Sequence, residues 1–113
     1  MSRVPILNRQ LVLEVPVPVA DGAGGFSETW VPRGTLWAEM SPRMAGERAG
    51  EELALSRVLY RVVVRGAPPG AASRPAAGQR FREGTQYFHI RAVTEHDARG
   101  LYLACYAEEE IGA

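Results

Sequence analysis

From Arg9 onward the hydrophobic positions recur with a period of two. Leu11, Leu13, Val15, Val17 and Val19 share one parity, and the other carries Val12, Glu14, Pro16 and Pro18. That alternation predicts a strand with one buried and one solvated face. Proline cannot donate to a ladder, so Pro16 and Pro18 make the far end of this strand a sheet edge and restrict where another chain can pair with it. Asp21-Gly22-Ala23-Gly24-Gly25 then reads as a turn, because glycine takes positive φ without steric cost. It feeds residues 27–31 and, after a break at Pro32-Arg33-Gly34, residues 35–40. The break predicts a bulge or corner that lets a small sheet curl. Ser41-Pro42 is expected to end the run. Trp30 and Trp37 lie on this segment, and each indole can bury about 150–250 Å². Both are expected in the core.

The clearest alternation covers residues 57–65. Val58, Tyr60, Val62 and Val64 form one face, and Arg57, Leu59, Arg61, Val63 and Arg65 form the other. Arg57, Arg61 and Arg65 make a basic stripe on one strand face. Such a stripe can track phosphates, meet acidic groups on a neighbouring subunit, or simply be a solvated sheet face. Residues 80–83 start a further strand, Gly84-Thr85 turns it, and residues 86–93 return with Phe88, Ile90 and Ala92 as the apolar face. Asp97-Ala98-Arg99-Gly100 is a hairpin turn with Gly100 at the positive-φ place. Residues 101–107 close the sheet. The predicted class is all-β, a small antiparallel β-barrel or curled sandwich of five to six strands forming one domain over residues 1–113.

Four segments fall outside this pattern. Residues 1–8 read as a flexible arm, where Pro5 argues against a helix. Residues 41–56 form a projecting loop, too long for a tight hairpin and of a length usually tied to function or disorder. Arg48 and Glu52 have i,i+4 spacing there, but Gly46 and Gly50 each weaken a helix by about 1 kcal/mol relative to alanine. At most one short helix is expected, ordered when something binds it; the alternative is a solvated surface loop. Residues 66–79, rich in Pro, Ala and Gly, predict a mobile loop that cannot pack a core. Residues 108–113 are an acidic tail.

Composition changes this picture little. The chain has 113 residues with 13 basic and 13 acidic side chains, so no bulk charge draws it to nucleic acid or acidic membranes. Every basic residue is arginine, which fits GC-rich coding. A single cysteine, Cys105, excludes an internal disulfide and suits a reducing compartment. Neither a signal peptide nor an apolar run of about 20 residues is present, so a cytoplasmic, soluble chain is expected.

Candidate chemistry is sparse. His89 and His96 are the only imidazoles, and no Cys/His/Asp spacing matches a zinc site. There is no Gly-x-Ser-x-Gly elbow, and Gly22–Gly25 precedes a strand rather than a helix, so it is no phosphate cradle. Cys105, in an apolar strand, reads as a buried thiol. Tyr60 with Arg61, and Tyr87 with Arg91, offer a faint aromatic–basic pattern for a nucleic-acid-binding barrel. Neither an enzyme nor a cofactor is expected.

Taken in order, the landmarks resemble the head–tail joining, or head completion (stopper), proteins of long-tailed phages and gene transfer agents. The pieces are Asp21, Gly24-Gly25 and Glu28-Thr29-Trp30, then Leu36-Trp37-Ala38-Glu39 and Glu47. They continue with Tyr60 to Arg65, Arg80-Phe81, Tyr87-Phe88-His89-Ile90, Ala92-Val93 and Leu101-Tyr102-Leu103-Ala104-Cys105. Two departures are the weakly basic start of the first strand and the long 66–79 loop. The resemblance implies a homo-oligomeric ring of roughly six or twelve copies. Its implied neighbours are portal and adaptor proteins on the head side, a tail terminator or tail tube on the other, and packaged DNA in the channel. It also implies a place in the neck of a phage-like particle, assembled in the bacterial cytoplasm. Arg43, Glu47, Arg48, Glu51 and Glu52 then become candidates for subunit or channel contacts, and Arg57, Arg61 and Arg65 a basic strand face. Another neck ring, such as an adaptor or tail terminator, or a small-barrel nucleic-acid-binding module, is the alternative.

Overall fold

The computed structural model describes residues 3–43 and 58–110. Six strands are found there: β1 (Arg9–Ala20), β2 (Phe26–Arg43), β3 (Leu59–Arg65), β4 (Arg80–Glu83), β5 (Gln86–Glu95) and β6 (Tyr102–Glu109). They form one antiparallel sheet in the order β1-β2-β3-β6-β5-β4, which closes into a barrel where β4 pairs with β1. The all-β expectation holds, and closure removes most of the free edges.

The core is built by the alternation of each strand. Leu11 and Leu13 of β1, Val62 and Val64 of β3, Phe81, Phe88, Ile90 and Leu103 all point inward and are fully buried. Each such side chain contributes roughly 1.5–3 kcal/mol of transfer free energy. Cys105 is buried among them as a free thiol.

Two bulges correct the periodic reading. In β1–β2, Leu13 pairs with Gly34 but Glu14 pairs with Pro32, leaving Arg33 as the extra residue. The break at Pro32-Arg33-Gly34 is therefore a bulge within one strand. In β5–β6, Ile90 pairs with Ala107 and Ala92 with Tyr106, so Arg91 is extra. Side-chain parity flips there. Val93, opposite Cys105, packs against the core, while Ala92 is exposed, the reverse of the expected assignment.

Two further expectations fail. Ser41-Pro42 does not end β2, because Pro42 pairs with Tyr60 in the β2–β3 ladder. Nor are the tryptophans core residues. Trp37 alternates with inward-facing Leu36 and Ala38, so it lies on the outer surface, 53% exposed. Trp30 is only partly buried. The core is filled instead by the two phenylalanines and the aliphatic side chains.

Long connections are tied to the barrel by backbone hydrogen bonds. Gly66 donates to the Leu101 carbonyl at 2.8 Å, and a Cβ at Gly66 would come within 2.3 Å of the Gly100 oxygen. Only glycine permits that approach. Residues 66–79 also carry Pro75 in a buried position, and Arg74 donates to the Ala67 carbonyl.

Candidate assembly surface

β1 meets β4 only through Val12–Glu14, and β2 meets β3 only from Ala38 onward. Beyond those limits the two strands run on together as a two-stranded ribbon, paired to each other as far as Ala20 and Phe26. Its tip is the glycine turn. Gly22 and Gly24 have φ of 82° and 87°, and Asp21 Oδ1 accepts the N–H groups of Ala23 and Gly25.

Pro16 stands opposite Trp30 and Pro18 opposite Glu28. A residue without an N–H fits such a ladder only where its nitrogen faces away from the partner strand. Both prolines therefore blunt the open side of β1. Val17, Val19 and Val31 continue the core-facing parity outside the barrel and are exposed, and Phe26 at the tip is 73% exposed. Four large apolar side chains on one projecting element mark a contact surface.

The ribbon's base is fixed by a cluster on the outer wall. The Arg80 guanidinium lies between the rings of Trp30 and Tyr87, 4.2 and 4.0 Å from their centroids. Its Nε donates to Glu14 Oε1 at 2.7 Å, and Arg82 Nε donates to Glu14 Oε2 at 2.9 Å. Burial pushes the Glu14 carboxyl up, but the hydrogen bonds and charges of the two arginines outweigh it and hold it below the ordinary carboxylate range. His89 meets Trp30 edge-on at 5.7 Å and pairs through Nε2 with Glu110 at 2.6 Å. Sequence reasoning missed this cluster. The available signal was Arg80 and Arg82 alternating on one strand face, two like charges that call for an acid across the ladder.

The candidate site residues are dispersed. Arg61 and Arg65 share the outer face of β3, with buried Val63 between them. Arg61 donates to His96 Nδ1 at 2.8 Å, which fixes that nitrogen as an acceptor, and Arg65 lies 5.9 Å from the Tyr102 ring centroid. Arg43 closes β2 opposite Leu59 and is exposed. Glu47, Arg48, Glu51, Glu52 and Arg57 lie outside the described residues. The amino-terminal arm crosses this outer face at Glu39, whose Oε2 accepts from Arg3 and from the Ile6 N–H. Those two bonds hold the Glu39 carboxyl below its ordinary range.

Among the described residues no group of three or more His, Cys, Asp or Glu side chains is placed to hold a metal. Burial pushes the Cys105 thiol up to about 12, so it is no thiolate nucleophile near neutral pH.

A closed barrel with a rigidly based, apolar-tipped ribbon defines a structural protein of the assembly type. The chain belongs to the phage head completion protein family, whose model matches residues 3–110. That is a family of structural virion proteins, not enzymes. The chain is similar to a solved component of the virion of a native gene transfer agent particle, at 53% identity and a TM-score of 0.81, covering 97% of this chain and 100% of that one. Its fold is also that of protein SF1141 from Shigella flexneri 2a, at 21% identity and a TM-score of 0.67, covering 99% and 100% of the two chains. No curated protein matches the chain at a significant level.

Proposed function

We propose that this protein is a ring subunit at the head–tail junction of a phage or gene transfer agent particle, closing the DNA exit channel after packaging and docking the tail. The likeness to a gene transfer agent virion component across that component's full length carries this reading. The barrel supplies geometry suited to it. β2 runs from the ribbon tip to Arg43, so the ribbon and Arg43 lie toward opposite ends of this strand. One end can then serve a head-side neighbour or the channel and the other the tail side. Arg43 with Glu47, Arg48, Glu51 and Glu52 would make the subunit or channel contacts, and Arg57, Arg61 and Arg65 would offer a basic face to acidic neighbours. Weak contacts can suffice in a ring, because the closing contact is intramolecular and every subunit is then held on two sides.

Electron microscopy of particles from a strain lacking the gene tests this. Emptied heads separate from free tails are expected. DNA-filled heads without tails would leave only the docking role, and normal filled, tailed particles would overturn the proposal.

A further inference from the structure

Two surface patches carry exposed apolar residues together with charges that have no ionic partner among the described residues, and the two complement each other. The ribbon carries the first. Between Val15 and Pro32 the only charged residues are Asp21 and Glu28. Asp21 is occupied by its own turn, whereas Glu28 has no ionic partner among the described residues. Phe26, also exposed, shares its face of the ribbon, while Val17 and Val19 belong to the opposite face.

The second patch is the outer face of β3 and β6, one and two strands beyond β2 in the barrel order. Arg65, opposite Tyr102, and Arg99 in the following hairpin have no carboxylate partner among the described residues. Leu101 is half exposed beside them, and the arm held on Glu39 adds Val4 and Ile6, 72% and 61% exposed. Two acidic groups lie nearby. Asp97 accepts the N–H groups of Arg99, Leu101 and Tyr102. Glu95 pairs with Leu103, and its carboxylate lies beside Gly100, which leaves Arg65 as the cation of this face set apart from that hairpin.

We infer that the ribbon of one copy docks on the β3–β6 outer face of the next copy, with Glu28 against Arg65 and Phe26 against Leu101 and the arm. The occupant is a second copy because this chain itself presents both the acidic apolar element and the basic apolar face that fits it. The patches differ and sit on different strands, so the contact is heterologous and repeats in one direction, as a ring requires. Prolines 16 and 18 leave only one side of the ribbon open to backbone pairing, which favours a single partner per ribbon.

This inference rests on the ring reading above. Its test is a charge swap in the full chain within the particle-producing strain: Glu28→Arg, Arg65→Glu, and both together. Both positions are at the surface, so each variant should melt like the unmodified protein. Each single change is expected to lower the yield of filled, tailed particles by about tenfold or more, since a repulsion is repeated at every interface. The double variant is expected to recover most of that yield. Single variants with normal yield, or a double variant no better than the worse single, would overturn the contact. Either result leaves the ring reading to stand or fall on the gene-deletion particles.

Discussion

Glu14 sits where β1 leaves the barrel, and its carboxylate takes one guanidinium from each of two alternate residues of β4. The Glu14 side chain is only 8% exposed, so removing it would leave Arg80 largely buried without its acid. Glu14→Gln should cost about 2–3 kcal/mol, read as a shift in urea midpoint. The folded-state pKa lies below the unfolded one, so this contribution is full above the ordinary carboxylate range. It is lost as pH falls through the depressed folded value. Unmodified protein should therefore lose its stability margin over Glu14→Gln on acidification below that range, and a constant margin would deny the pair this role. The tryptophans divide similarly. Trp37→Ala should cost under about 1 kcal/mol and Trp30→Ala about 1–2, against 3–5 for Phe81→Ala, all checked by thermal melting.

At the scale of elements, the strands were legible because each buries one face, and a period of two then survives in the sequence. Residues 80–83 and the 97–100 turn emerge as read, and the Pro32-Arg33-Gly34 bulge was visible in its own breakers. The Arg91 bulge was not, since nothing in residues 90–92 marks an extra residue and only the pairing with β6 reveals it. The tryptophans misled because aromatic size suggests burial, whereas parity with Ala38 decides it. The ribbon was legible only as a proline-blunted edge. Its projection depends on β4 pairing with β1 only at Val12–Glu14, a tertiary fact. Among connections, removing residues 46–50 should leave the melting temperature unchanged, because the core cluster among the described residues lies in the strands. The same deletion is expected to yield emptied heads under the microscope. Filled, tailed particles from that variant would remove residues 46–50 from the mechanism.

For the whole molecule, the closed barrel is expected to be a stiff body with the β1–β2 ribbon projecting from it. That stiffness would suit the ring role proposed above, in which neighbours are held in register. Cys105 offers a check on it. With its thiol buried and held mostly protonated, labelling by an alkylating reagent should occur only through global unfolding. Fast labelling under native conditions would instead reveal an opening barrel. The most direct measurement of the central claim is an electron cryo-microscopy reconstruction of the assembled particle. The account predicts a closed ring of this barrel at the head–tail junction, with each ribbon lying against the next copy's β3–β6 face. Density placing the barrel away from that junction, or as isolated copies without a ring, would contradict it.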